Sequence, residues 1–196
     1  MSKQPAVDPS RTAVVVVDVQ RAFTDLLGES LSPPLGEVLP NITRFLTGAR
    51  EVGATVFLVR IIVAPDEHSS NTLIWPESLR EQLRPGAAGT EWDPCIAPGA
   101  GDIEVVKQRY SSFFGTNLDA MLRERDIETV VNCGLTTNVC VQSTVRDCWQ
   151  RDYQTITVSD CCSESGEGAH SSALLSIARN FGRVHRSETI LKMWRS

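Results

Sequence analysis

Long apolar runs are absent from this chain of 196 residues, since the longest covers only residues 13–17. A helix that crosses a bilayer needs about 20 apolar residues, so we expect no contact with a membrane. The polar, proline-bearing start is not typical of a signal peptide, and we therefore expect a cytoplasmic protein. An excess of positive charge is also lacking, because 19 Lys and Arg against 24 Asp and Glu give a net charge of −5. The chain thus lacks the basic surface of a nucleic-acid binder.

Metal-ligating residues are few and scattered. The chain has three histidines and six cysteines, and no two cysteines have the C-x-x-C spacing that structural zinc sites use. A chain of this size without a predicted export signal is expected to keep its cysteines reduced. Cys133 and Cys148 fall within apolar strand and helix patterns, so we assign both to the core.

Apolar runs rich in β-branched residues alternate with stretches of helical periodicity. The runs predict strands at Thr12–Val17, 55–62, Ile103–Lys107, 129–133, 155–159 and Arg183–His185. The helical periods predict helices at Leu35–Glu51, 117–125, 137–151 and 169–181, and residues 64–100 read as an irregular excursion with a short helix near 77–83. This alternation is typical of a three-layer α/β/α fold with a mainly parallel, six-stranded sheet. The length suits one core, so we expect a single domain over residues 1–196.

Asp18, Lys107 and Cys140 have side chains that can take part in catalysis. All three lie at or shortly after the carboxyl ends of predicted strands, where parallel sheets bind their ligands. Cys140 begins a predicted helix, whose free N–H groups and positive dipole end favour a thiolate and can hold an oxyanion. Each residue has an ordinary alternative: Cys140 as a core thiol, Asp18 as a cap of the turn at 20–23, and Lys107 as a solvated charge. Together they bring a nucleophile, a base and a cation to neighbouring strand ends, which indicates a catalytic site more specifically.

Three ordered blocks of sequence resemble the isochorismatase-like cysteine hydrolases. Residues 18–23 read D-V-Q-R-A-F and resemble the D-x-Q-x-x-F segment of that family. Residues 107–118 resemble its K-x-R-Y-S-x-F-x-x-T-x-L block, and residues 134–141 resemble its G-x-x-T-N-x-C-V signature. The resemblance continues through residues 144–147 and 159–160, so it covers most of the chain.

The resemblance implies a Cys-Lys-Asp triad, in which Cys140 is the nucleophile, Asp18 carries its proton and Lys107 keeps Asp18 ionised. It also implies a cis peptide bond between Leu135 and Thr136, and an oxyanion hole built from the amides of Thr136 and Cys140. Isochorismatases proper, which cleave a vinyl ether, commonly carry glycine where Cys140 stands. Cys140 therefore favours hydrolysis of a C–N bond through a thioester. Ether cleavage and a catalytically silent scaffold stay open as alternatives.

The resemblance also implies what binds to the chain. The substrate is expected to be a small amide or ureide, no cofactor is expected, and homodimers or homotetramers are common in the family. Nicotinamidases, which resemble this chain, hold a metal through an Asp-x-His pair directly after the second strand and a second histidine. Here the D-E-H letters at residues 66–68 come several residues later, and His170 and His185 lie too far along the chain. We therefore expect no catalytic metal.

Four further residues are candidates for the walls of the substrate pocket. Phe23 matches a family aromatic residue that faces the substrate. Gln20 is predicted either to contact polar atoms of the substrate or to cap its own turn. Trp75 is predicted either to cover the site or to lie in an interface. Arg109 can bind a substrate carboxylate with two hydrogen bonds or pair within the protein.

Overall fold

The computed structural model describes residues 7–64 and 74–195. A seven-stranded sheet forms the centre of this part of the chain. The strands are β1 (Thr12–Val17), β2 (Leu31–Ser32), β3 (Thr55–Ile61), β4 (Ile103–Lys107), β5 (Thr129–Leu135), β6 (Gln154–Ser165) and β7 (Arg183–His185). Their order is β2-β6-β5-β1-β3-β4, and β7 pairs with β6 beside this path. All pairs are parallel except that of the short β2 with the end of β6.

Helices cover the sheet and connect its strands. Those with bounds in the described residues are α1 (Arg21–Leu27), α2 (Leu35–Glu51), α3 (Glu77–Gln82), α4 (Leu118–Arg123), α5 (Gln142–Trp149), α6 (Glu167–Asn180) and α7 (Ser187–Arg195). A π-helical turn, Thr137–Val141, leads into α5. α2 packs on β3, β6 and α7, whereas α5 packs on β5, β6 and α6. The predicted α/β fold class is therefore confirmed, with one strand more than expected.

The central strands are buried over their whole length. Every residue of β1 is inaccessible to solvent, and all seven residues of β5 are buried. Such continuous apolar runs suit parallel strands that are covered on both faces. Among the helices with described residues, none combines the length and the apolar character that a bilayer crossing requires.

The main differences from the sequence prediction are two additional helices and a longer β6. The structure has α1 where only a turn is predicted, and α7 where nothing is predicted. β6 continues six residues past the predicted end at residue 159 and pairs there with β2. This extension reads D-C-C-S-E-S and contains no β-branched or aromatic residue, so the pairing with its neighbours, and not a local pattern, determines it.

Candidate active site

Asp18, Lys107 and Cys140 meet at one edge of the sheet. The Nζ atom of Lys107 donates to Oδ2 of Asp18 at 2.6 Å and to Sγ of Cys140 at 3.6 Å. A further bond of 3.0 Å runs from Nζ to the carbonyl oxygen of Arg109. The side chains of Asp18 and Lys107 are sealed from solvent, whereas Cys140 retains 5% exposure. Lys107 thus links the two other side chains that the sequence assigns to a triad.

The parallel sheet explains this juxtaposition. Asp18 follows the last residue of β1, Lys107 is the last residue of β4, and Cys140 lies in the turn after β5. β3 separates β1 from β4, so two strand spacings, about 10 Å, lie between Asp18 and the start of the Lys107 side chain. A long side chain is therefore needed at position 107.

The backbone beside Asp18 has unusual conformations. Asp18 has a φ of 52°, which few residues other than glycine adopt, and its N–H donates to the carbonyl of Val59 at 2.8 Å. Gly134 pairs with Val17 across β1 and β5 and has a φ of 116°. A Cβ atom at position 134 would overlap the backbone of Val17, so β5 can approach β1 at this point only with glycine.

The turn that carries Cys140 is organised around one carbonyl group. The N–H groups of Val139 and Val141 both donate to the carbonyl oxygen of Thr136 at 3.2 Å. The peptide bond between Leu135 and Thr136 is cis, at the position that the family resemblance implies. The amides of Thr136 and Cys140, which the resemblance assigns to an oxyanion hole, therefore belong to one short turn.

Burial and charge act against each other in the Asp18–Lys107 pair. Burial raises the pKa of Asp18, and the positive charge of Lys107 offsets this rise only in part. Burial acts to lower the pKa of Lys107, but the negative charge of Asp18 and the hydrogen bonds with Asp18 and Cys140 outweigh it, so the pKa of Lys107 is raised. Lys107 therefore remains a cation, and Asp18 titrates above the ordinary range of an aspartate.

Burial opposes ionisation of the Cys140 sulfur. Burial, followed by the charge of Asp18, raises the pKa of the thiol well above its ordinary value, and Lys107 offsets only part of the rise. The raised pKa opposes the thiolate that the helix N-terminus and Lys107 favour, and the ionised state of the sulfur stays a prediction. A protonated sulfur needs a base at the moment of attack. Within the described residues, no N–H or O–H group donates to Oδ1 of Asp18, which leaves this oxygen to the thiol.

Gln20 and Phe23 lie beside the triad but are buried. The amide of Gln20 donates to the carbonyls of Ile61 and Gly89 at 3.2 and 3.4 Å, and it accepts the N–H of Ile61 at 2.7 Å. Gln20 thus fixes the end of β3 instead of capping its own turn. Phe23 is 8% exposed and packs in a small apolar cluster that contains Leu135. Contact of either side chain with a substrate stays a prediction.

Trp75, which precedes α3, and Arg109 both have contacts in the segment that follows β4. The indole N–H of Trp75 donates to the hydroxyl of Tyr110 at 3.1 Å, which connects Trp75 to the segment after β4. The guanidinium of Arg109 donates to the carbonyl of Gln108 at 3.0 Å and lies 6.0 Å from the ring centre of Phe114. A bond within the protein is therefore present for Arg109, and its contact with a substrate carboxylate stays a prediction.

Several side chains that support the Cys140 turn were not identified from the sequence. The carboxylate of Glu164 accepts the N–H of Asn138 at 2.7 Å, and the hydroxyl of Thr137 lies 2.9 Å from Nδ1 of His170. On its other side, the turn is held by the hydroxyl of Thr144. Asn138 and Thr144 lie in or next to the motif blocks, but the motifs alone give no partner for them.

The cysteines and the metal-ligating residues show no second centre in the described residues. All six cysteines are free, and Cys133 and Cys148 are fully buried, as predicted for core residues. Within residues 7–64 and 74–195, no group of three or more His, Cys, Asp or Glu side chains is arranged to hold a metal ion. The D-E-H letters at residues 66–68 lie outside the described residues.

Comparison with known sequences assigns the chain to one family. The profile of the isochorismatase domain matches residues 12–189. Ureidoacrylate amidohydrolase RutB of Methylobacterium radiotolerans is 35% identical over 201 residues, which span 91% of this chain and 78% of that protein. RutB of Yersinia enterocolitica is 34% identical over 94% of this chain and 89% of its own length.

Solved structures agree with the sequence comparison. A cysteine hydrolase from Pseudomonas syringae pv. phaseolicola superposes with a TM-score of 0.88 at 29% identity, over 100% of this chain and 99% of that chain. N-carbamoylsarcosine amidase from Thermoplasma acidophilum superposes with a TM-score of 0.77 at 30% identity, over 91% of this chain and 97% of its own. The whole architecture, and not one motif, is therefore shared with these proteins.

Proposed function

The chain belongs to the isochorismatase family and is a hydrolase of C–N bonds, and from this premise we propose that it cleaves a small amide or ureide through a thioester on Cys140. The observation that carries the proposal is the position of one ammonium group, 2.6 Å from a buried carboxylate and 3.6 Å from a nearly buried thiol. The ureide and carbamoyl substrates in the names of two relatives indicate the substrate class.

In the first half of the proposed reaction, the sulfur of Cys140 attacks the carbonyl carbon while its proton passes to Oδ1 of Asp18. The negative charge then moves to the substrate oxygen, where the amides of Thr136 and Cys140 donate to it. Asp18 next gives its proton to the nitrogen of the leaving amine. The C–N bond breaks, ammonia or an amine leaves, and the acyl group stays on sulfur as a thioester.

In the second half, water replaces the amine. Asp18 takes a proton from the water as its oxygen attacks the thioester, and the same amides hold the oxyanion. The carbon–sulfur bond breaks, and the proton returns from Asp18 to the sulfur as the acid leaves. Lys107 keeps its positive charge throughout, so it stabilises the carboxylate form of Asp18 and the transient negative charge on the sulfur.

The test of the reaction is a panel of amides, ureides and N-carbamoyl compounds with isochorismate as the competing substrate. We expect release of ammonia from at least one ureide or carbamoyl compound. Acid quenching during turnover should trap a mass increase on the peptide that contains Cys140. Release of pyruvate from isochorismate, with no ammonia from any member of the panel, would instead support ether cleavage and overturn the proposal.

The pH dependence of kcat/KM should report the state of Asp18. Protonated Asp18 cannot accept the proton of the thiol, so activity should fall as the pH is lowered through the pKa of Asp18. Because burial raises this pKa, we expect the midpoint to lie clearly above about 4, the ordinary value for aspartate. Initial rates at subsaturating substrate give kcat/KM at each pH and therefore the midpoint of the profile. A profile that stays flat down to that value would contradict the role of Asp18 as the base.

A further inference from the structure

The hydroxyl of Thr144 joins the turn that carries Cys140 to the segment that follows Lys107. It donates to the carbonyl oxygen of Cys140 at 2.8 Å and accepts the N–H of Ser112 at 3.0 Å. The Ser112 hydroxyl lies 3.0 Å from it as well. A hydroxyl has only one proton to donate, and the carbonyl takes it, so Ser112 is the donor of this third bond. Both side chains are fully buried, and every hydrogen-bonding position of the Thr144 hydroxyl is occupied.

A second connection ties the same two segments together one turn later in α5. The hydroxyl of Ser111 donates to the carboxylate of Asp147, and it also accepts the N–H of Phe113 at 3.2 Å. Asp147 lies three residues after Thr144, so both face the same side of the helix. Residues 107–113, which we term the Lys107 loop, are thus fastened to α5 at two successive residues.

The Lys107 loop also positions the ammonium group of the triad. The carbonyl of Arg109, within this loop, accepts one of the bonds from Nζ of Lys107. The proposed reaction depends on the place of this ammonium between Asp18 and Cys140. We propose that Thr144 is a positioning residue, which holds the Lys107 loop in register with the Cys140 turn so that Nζ stays beside the sulfur. This inference rests on the function proposed above.

The bond from Thr144 to the carbonyl four residues earlier is not in itself unusual. Thr43 and Thr47 make the same kind of bond within α2, at 3.0 Å, from exposed positions. What distinguishes Thr144 is that its hydroxyl also accepts two bonds from another segment, at a buried site. Loss of that hydroxyl leaves the buried N–H of Ser112 without a partner, whereas loss of the Thr47 hydroxyl has no such effect.

Replacement of Thr144 by valine keeps the volume and the branched shape of the side chain but removes its hydroxyl. We expect kcat to fall about ten- to a hundredfold with little change in KM, because the loop shifts while the substrate contacts remain. We also expect slower alkylation of Cys140 by iodoacetamide across the pH range, since Lys107 is the group that makes the thiol easier to ionise. The alkylation is measured in a Cys95→Ser background, because Cys95 is exposed.

Three further variants make the test decisive. Thr144→Ser keeps the hydroxyl and should restore most of kcat and of the alkylation rate, and Thr47→Val should leave both unchanged. Ser112→Ala removes one of the three bonds and should give a smaller loss, which provides a result if Thr144→Val does not fold. The proposal is overturned if Thr144→Val behaves like the wild type, if Thr144→Ser loses as much as Thr144→Val, or if Ser112→Ala has no effect.

The alkylation measurement separates this inference from the proposed function. If the wild type releases no ammonia from any compound, the function fails, but the alkylation rates of Cys140 still compare the Thr144 variants. If the wild type turns over and all variants match it in both measurements, the function stands and the role of Thr144 is wrong.

Discussion

Replacement of Cys140 by alanine is expected to abolish hydrolysis, with a loss in kcat/KM of about 10⁴-fold or more. The sulfur forms the bond to the substrate in the proposed reaction, and no other described cysteine can take its place. Four of the other cysteines are fully buried, and the fifth, Cys95, is exposed at a surface turn. The remaining binding and oxyanion contacts cannot replace a missing nucleophile. The measurement is ammonia release with the best substrate of the panel.

A matched variant and a labelling experiment control this prediction. Cys95→Ser should keep full activity, because Cys95 takes no part in the site. In that background, iodoacetamide should modify one cysteine, slowly at neutral pH and faster as the pH rises, because the pKa of the Cys140 thiol is raised. The added Cys140→Ala change should remove this label. Wild-type hydrolysis by the Cys140→Ala variant would refute the assignment of the nucleophile.

Disruption of the buried ion pair should damage both stability and activity. Lys107→Met leaves the carboxylate of Asp18 in the interior without its counter-charge, and removal of one partner of such a pair costs about 3–5 kcal/mol. The loss should be largest at neutral and alkaline pH. It should shrink in acid, because Asp18, whose pKa is raised further without Lys107, then takes a proton and becomes neutral. Turnover should be lost at every pH.

The double variant Asp18→Asn with Lys107→Met distinguishes stability from catalysis. It leaves no buried charge at positions 18 and 107, so its free energy of unfolding should recover to near that of the wild type, while its activity stays absent. Lys192→Met serves as the control, because the Lys192–Glu188 pair is exposed and its loss should leave the free energy of unfolding nearly unchanged. Denaturant unfolding at two pH values gives the free energy of unfolding of the wild type, Lys107→Met, the double variant and Lys192→Met. A double variant less stable than Lys107→Met would contradict this account of the pair.

The sequence predicts most of the sheet and the residues of the site because both follow local rules. β1, α2, β4 and β7 have the bounds that periodicity and turn residues predict. In parallel strands, the carboxyl ends lie at one edge of the sheet, so the sequence alone predicts that Asp18 and Lys107 lie close together. Strand ends therefore carry much of the information about the site.

The features that the sequence does not predict depend on contacts between distant residues. α7 begins at Ser187, whose N–H and hydroxyl both donate to the carboxylate of Asp160 in β6, so its N-terminus is capped from outside its own segment. The rise in the pKa of the Cys140 thiol depends on burial, which only the packed structure provides. The roles of Gln20 and Thr144 likewise depend on partners that no spacing in the sequence indicates.

The arrangement of the triad has a consequence for folding. Lys107 is 89 residues from Asp18 and 33 residues from Cys140 in the chain, and its side chain crosses over β3 to reach Asp18. No fragment that lacks β1, β4 or β5 can assemble these groups, and a shift in the pairing of β5, β1, β3 or β4 would separate them. Recovery of activity after denaturation therefore reports completion of the parallel sheet, and it should lag behind the return of helical signal, because long-range strand pairing is the slow step.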